Sequence, residues 1–253
     1  MNMDCFLKQY LGVLTNDQGD STFEGIGLFA GGTTGVRIGK LLNFAVSQMD
    51  DGECYVEVGT FTGGTLCQAV HMNYKPCIGI DSYRPEHMAE MTGMTADFIK
   101  ERCKQNINCI SKGKAALIEK DFRDVKPEEI PFKVAVSFID GKHDYPSVID
   151  NFKWLEPMLA DDAVIVLDDI NYVEVTMAIQ DWISGHAQNY DMMSYLKPFY
   201  GPDGKNTWCA RDRFLNNGVA VIRYHKDPRS NTFSYDPNKA GWTIDNIHAG
   251  KKL

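Results

Sequence analysis

No apolar run in this sequence approaches the roughly 20 residues that a bilayer-spanning helix needs, so a soluble protein is expected, with no membrane partner. Positive charge is also short: 26 Lys and Arg stand against 34 Asp and Glu, a formal net charge of -8. A general nucleic-acid binder neutralises phosphates with a basic surface, so that class is argued against. The seven cysteines (Cys5, Cys54, Cys67, Cys77, Cys103, Cys109 and Cys209) include no CxxC pair, are odd in number, and lie in several cases inside apolar stretches. Buried, reduced thiols follow, which suits a cytoplasmic location. Residues 1–10 carry Asp4 and Lys8 without a long apolar run, so no secretory leader is expected. Internal repeats and low-complexity stretches are missing too.

What is present is ordinary globular composition, 43% hydrophobic and 24% charged over 253 residues. A single domain over residues 1–253 is expected, with a helical lead-in at 1–50, a substrate loop at 200–217 and an irregular tail at 226–253. Within the lead-in, the polar, glycine-bearing stretch from Thr15 to Gly27 reads as a loop. Ile38, Leu41, Leu42, Ala45 and Val46 repeat with helical spacing, and Thr33 or Thr34 would cap that helix.

From Cys54 onward, short β-rich runs alternate with helical patterns. The runs are 54–58, 77–81, 115–118, 133–140 and 163–167. The intervening helices are expected at Leu66–Met72, Thr95–Asn106, Tyr145–Leu159 and Val173–Ile183. Strands this apolar imply an α/β fold: a Rossmann-like, mostly parallel, doubly wound sheet with helices on both faces. Met192–Phe199 and Gly218–Tyr224 read as antiparallel strands added at an edge near the C-terminus.

In such a sheet, ligands bind beyond the carboxyl ends of the strands. Gly59, Gly63 and Gly64 sit there in a strand-to-helix turn, Glu57-Val58-Gly59-Thr60-Phe61-Thr62-Gly63-Gly64, which can let a ligand approach the backbone or serve turn geometry alone. Glu57, inside the strand end, needs a partner or a ligand group. Asp81 follows Gly59 by about 20 residues, the spacing of an acid that accepts ribose hydroxyls. Asp121 stands either beside a purine ring or at the cap of a turn.

Asp140, Asp168 and Asp169 end adjacent strands. Crowded carboxylates raise one another's pKa or hold a cation, and hard oxygen ligands suit Mg²⁺, Mn²⁺ or Ca²⁺. His143, three residues after Asp140, is a candidate general base or metal-adjacent group; Lys142 and Asp144 are weaker candidates for the same task.

The segment Glu57–Thr65 resembles the first motif of class I S-adenosylmethionine-dependent methyltransferases, and is similar to small-molecule O-methyltransferases of the macrocin type. The stretch Phe138-Ile139-Asp140-Gly141-Lys142-His143-Asp144-Tyr145, followed after a helix by Val164-Ile165-Val166-Leu167-Asp168-Asp169, resembles the same family over roughly Thr33–Ile183. One departure is Ala160-Asp161-Asp162, where relatives often carry two glycines in a turn. The resemblance implies that Glu57, Gly59 and Gly63 line the methionine part of the cofactor and that Asp81 holds the ribose, with Thr60, Gly64, Asp121 and Asp140 also binding the cofactor. It also implies a divalent cation such as Mg²⁺ on Asp140, Asp168 and Asp169, with His143 and Asp140 serving catalysis and a small-molecule hydroxyl as acceptor. By their place in the chain, Phe199, Tyr200, Trp208, Arg211 and Arg213 either line the acceptor pocket or pack the loop. Some relatives work without metal through a histidine base. The sequence leaves a homodimer open. The rivals are an NAD-dependent oxidoreductase, disfavoured by the Gly-x-x-x-Gly spacing, and a non-catalytic Rossmann-fold binding protein.

Overall fold

The computed structural model describes residues 1–15, 21–31, 35–86, 92–196 and 218–227. Three helices, α1 (Met3–Thr15), α2 (Ser21–Ala30) and α3 (Val36–Ser47), precede the sheet. Then β1 (Glu53–Val58), α4 (Gly64–Val70), β2 (Cys77–Ile80), α5 (Ala96–Ile110), β3 (Ala115–Ile118) and β4 (Lys133–Ile139) follow. The described chain continues through α6 (Tyr145–Leu155), β5 (Leu159–Asp168), α7 (Val173–Gly185), β6 (Tyr190–Leu196) and β7 (Val219–His225).

The seven strands lie in the order β3-β2-β1-β4-β5-β7-β6. Strands β1 to β5 pair in parallel, whereas β7 pairs antiparallel with both β5 and β6. The expected fold class is therefore present, with β7 wedged between β5 and the edge strand β6. Alternation along each strand builds two cores. Tyr55, Val136, Phe138, Val164 and Val166 pack with α1, α3, α4 and α5. Cys54, Val56, Val58, Ile165 and Leu167 pack with α6 and α7 on the opposite face. A sheet covered on both faces needs strands apolar at consecutive positions, which is why β1, β4 and β5 were recognisable as unbroken runs.

Three local expectations need correction. The stretch read as a loop from Thr15 to Gly27 contains most of α2, which buries Ile26 and Ala30 and is tied down by Gln68 Nε2, donating to Phe23 O at 2.9 Å. Tertiary contacts with α4 outweigh the low helix propensity of Gly25 and Gly27. Ala160-Asp161-Asp162 is not a turn but lies inside β5, because β7 pairs along it. Asp162 sits opposite His225, Arg223 Nε donates to Asp162 Oδ1 at 3.1 Å, and Lys226 N donates to Asp161 O at 2.8 Å. Finally, α3 starts behind Gly35, which makes no side-chain cap; Thr33 and Thr34 lie outside the described residues. No helix among the described residues is long and apolar enough to cross a membrane.

Candidate functional site

The register aligns Val58 with Ile139 and Ile139 with Leu167, so the residues that follow β1, β4 and β5 emerge together at one mouth of the sheet. After β1 the chain is left-handed at Gly59 (φ 90°), Phe61 (φ 50°) and Gly63 (φ 80°). At two of these positions the protein's own packing accounts for glycine. A Cβ on Gly59 would lie 2.0 Å from the carbonyl oxygen of Asp140, and one on Gly63 would lie 3.0 Å from Cys103 Sγ. Gly63 caps α4 and Gly64 begins it. Thr60 is buried and faces the sheet, where a Cβ on Gly79 would meet its Oγ1 at 2.6 Å.

Contacts invisible in the sequence fix this turn from outside. Asn106 Nδ2 donates to Ala30 O and Thr62 O, at 2.9 and 2.8 Å. The Tyr83 hydroxyl donates to Phe61 O at 2.9 Å. The Asp81 carboxylate accepts the backbone N–H of both Phe61 and Tyr83, each at 2.8 Å. Asp81 thus stands at the end of β2 against the glycine turn.

Glu57 is fully buried in β1, and its Oε2 accepts the Tyr55 hydroxyl at 2.6 Å. Its Oε1 has no hydrogen-bond partner. Burial pushes this carboxyl well above the ordinary range, only partly opposed by the Tyr55 bond. Asp121 caps the short 3₁₀ turn Phe122–Asp124, accepting Arg123 N, and pairs with Arg84 Nη2 at 2.6 Å. Capping the turn is one of the two roles foreseen for it. A cavity of about 540 Å³ after β2 is lined in part by Ser82, Tyr83, Thr95, Asp97, Lys100 and Glu119.

Across the mouth, one potential ligand atom from each of Asp140, His143 and Asp169 falls within 4.8 Å of the others. His143 Nε2 lies 2.7 Å from Asp169 Oδ2 and 3.9 Å from Asp140 Oδ1. Asp168 is not in this group; it is 2% exposed, and its Oδ1 accepts the Asp169 N–H at 2.8 Å. The backbone explains the exchange. Asp169 adopts a left-handed φ of 60°, which turns it toward His143 while Asp168 faces inward.

The carboxylates and the imidazole also shift one another's protonation. Burial pulls the His143 pKa down, but Asp140 and Asp169 more than offset this and raise it to about 10. The two carboxylates thus favour the protonated form of His143. Burial raises the Asp140 carboxyl above its ordinary range, and His143 pulls it only part of the way back. Asp144 is no base: despite some burial, its bonds to Lys142 and Ser147 lower its pKa to about 2, and it caps α6 through the Ser147 N–H at 2.8 Å. Lys142 is its ion-pair partner. The side chain that sequence reasoning missed is Tyr172, whose ring stacks on His143 at 4.8 Å between centroids and 23° between planes. Phe199, Tyr200, Trp208, Arg211 and Arg213 lie outside the described residues.

The family model of the methyltransferase domain matches residues 56–170, the span from β1 to just past β5 that holds every element of this mouth. Over those residues the chain is similar to a methyltransferase domain. Solved structures with the same fold include cofactor-bound Rv0187 from MTB, at 14% identity over 89% of this chain and 96% of that one, with a TM-score of 0.58. The O-methyltransferase NovP follows at 12% identity, 77% and 83% coverage and a TM-score of 0.57. TomG from Streptomyces achromogenes, in complex with SAM, has 11% identity, 82% and 91% coverage and a TM-score of 0.54. A search of curated proteins finds no match. The family match and the shared fold agree with the resemblance read from the sequence.

Proposed function

We propose that the chain is an S-adenosylmethionine-dependent methyltransferase acting on a hydroxyl oxygen of a small molecule. The observation that carries this is the contact between the two halves of the mouth: the Gly59 backbone packs so tightly on the Asp140 carbonyl that no side chain fits between them. A methyl donor held along the glycine turn and a proton acceptor on Asp140 are thereby neighbours.

The residues fit the cofactor. Asp81, at the end of β2 against the glycine turn, would hold the ribose, and the cavity lined by Ser82 and Tyr83 follows it in the chain. The buried, unpartnered Glu57 Oε1 offers a polar contact under the turn. When bound, S-adenosylmethionine supplies a methyl group on a positively charged sulfur. The protein's task is then alignment and proton removal. Asp140 takes the hydroxyl proton as the acceptor oxygen forms its bond to the methyl carbon and the carbon–sulfur bond breaks, leaving a neutral thioether. His143, positively charged beside it, stabilises the oxygen as it loses the proton.

Two carboxylates and an imidazole within 4.8 Å also fit a divalent cation, for which Asp140, His143 and Asp169 would be the ligands, and which would lower the pKa of the hydroxyl. A metal-free reading has its own support in the 2.7 Å contact of His143 with Asp169, which already places a positive charge where the cation would sit. Incubation with methyl-labelled S-adenosylmethionine and separate hydroxyl and amine acceptors, in EDTA and in Mg²⁺ or Mn²⁺, tests the proposal. Labelled ether and S-adenosylhomocysteine are expected; transfer to amines alone would overturn the oxygen assignment. Activity only with metal selects the cation reading, and equal activity in EDTA selects the ion pair.

A further inference from the structure

Helix α2 is weak by itself. It has ten residues, includes Gly25 and Gly27, and buries only Ile26 and Ala30. Isolated helices this short are marginal in water, and interior glycine weakens them further. Leu28 and Phe29 stay exposed, so the hold on α2 is largely polar. Gln68 of α4 binds Phe23 O near its start, and two residues one turn apart on α5 take its end. Arg102 Nη2 donates to Phe29 O at 2.6 Å, with the guanidinium carbon 5.4 Å from the centre of the Phe29 ring. Asn106 Nδ2 donates to Ala30 O at 2.9 Å. The last carbonyls of a helix have no partner within it, and α5 supplies one for each of these two.

The same Asn106 nitrogen donates to Thr62 O in the glycine turn, at 2.8 Å. Both neighbours are carbonyl oxygens, so only the NH₂ end of the side chain can face them. Asn106 is 1% exposed, and its Oδ1 has no hydrogen-bond partner. One buried amide therefore spans the end of α2 and the peptide that leads into Gly63. The N–H of that peptide donates to Thr60 O at 2.7 Å, so its plane is held from both sides. A Cβ on Gly31, the left-handed residue after α2 (φ 73°), would lie 3.8 Å from Thr62 Oγ1, which brings the helix end and the turn together.

We infer that Asn106 is a positioning residue that makes the docking of α2 and the binding of the methyl donor one linked equilibrium. The linkage presupposes the cofactor proposed above and adds a control on its site. With α2 docked, Asn106 holds the Thr62–Gly63 peptide in the geometry that receives the donor. With α2 away, the amide loses one of its two carbonyls and the turn loses its outer support. Linkage is reciprocal: a ligand that prefers the fixed turn stabilises docked α2 by the same factor. A short, thinly buried helix opens locally far more often than the central strands, so its amide exchange reports this equilibrium.

Calorimetry first establishes S-adenosylhomocysteine binding to the wild type, and hydrogen–deuterium exchange of α2 is then compared in free and saturated protein. Exchange is expected to slow about fivefold or more on saturation. Unchanged exchange in saturated protein would overturn the inference. Asn106→Leu leaves two buried carbonyls unpaired, and is expected to weaken S-adenosylhomocysteine about tenfold and to abolish the slowing of α2. Asn189→Leu is the matched control, because Asn189 Nδ2 also donates to two carbonyls, His225 O and Lys226 O, at 2.9 and 2.8 Å beside the edge strand β6. Its affinity and α2 exchange should match the wild type; equal weakening in both asparagine variants would make the effect global and overturn the inference. Arg102→Ala acts on the α2 end alone, and should speed α2 exchange and weaken S-adenosylhomocysteine severalfold. Wild-type affinity in Arg102→Ala despite faster α2 exchange would break the linkage, and this variant decides if Asn106→Leu is recovered unfolded. No S-adenosylhomocysteine binding by the wild type removes the proposed function itself, and the linkage with it.

Discussion

Replacing Gly59 with alanine isolates the contact on which the site is built. Two costs arise. An L-residue held at φ 90° leaves its allowed region, at about 1–2 kcal/mol. The new Cβ also falls 2.0 Å from Asp140 O, 2.5 Å from Asp140 C and 2.9 Å from Gly141 N, where ordinary contact begins at 3.4 Å. All three neighbours are backbone at the end of a central strand, so the clash cannot be relieved by a side-chain rotation; overpacking of this kind adds about 1–3 kcal/mol. Gly113→Ala is the matched control, since its φ is 81° and no atom lies within 4 Å of its Cβ. Urea denaturation should therefore place Gly59→Ala about 2–5 kcal/mol below the wild type and Gly113→Ala only about 1–2 below it. Calorimetry should show S-adenosylhomocysteine binding lost or sharply weakened in Gly59→Ala and unchanged in Gly113→Ala. Equal stability of the two variants, or cofactor binding unaffected by Gly59→Ala, would refute the reasoning.

Other positions give independent checks. Gly39→Ala would put a Cβ 2.2 Å from Gln68 Oε1, displacing the side chain that anchors Phe23 O; amide exchange in α2 should rise while β1 and β4 remain protected. Because the folded Glu57 carboxyl is raised, the stability linked to its protonation is present below about pH 4.3 and is lost as pH rises through its folded value. Glu57→Gln, neutral at every pH, should flatten the decline of the denaturation midpoint on the alkaline side. Asp144→Ala removes the cap of α6 at about 1 kcal/mol, read by urea denaturation at pH 7. The Asp144 pKa is lowered to about 2, so its contribution is full above about pH 4 and disappears as pH falls toward 2, where wild type and variant should converge.

The strands β1, β2, β4 and β5 were legible because burial on both faces demands unbroken apolar runs, and Asp81, Asp140 and Asp169 were legible because they end those runs. What stayed hidden depends on contacts distant in sequence. Helix α2, with Gly25 and Gly27, reads as loop until Gln68 from α4 binds Phe23. The acids at 161 and 162 read as a turn until Arg223 and Lys226 arrive beside them from β7. The choice of His143 over Asp168 turns on one left-handed residue, Asp169, whose φ no spacing rule reveals. Tyr172 carries no motif at all; only the fold sets its ring on the imidazole. The close approach of Gly59 to Asp140 and of Gly63 to Cys103 was hidden for the same reason.

The most direct test of the methyltransferase assignment is calorimetric titration of the protein with S-adenosylhomocysteine, in EDTA and again in excess Mg²⁺, with Asp81→Ala alongside. Saturable binding in at least one buffer, weakened by Asp81→Ala, is the expected result. No binding in either buffer would contradict the assignment and leave only the fold.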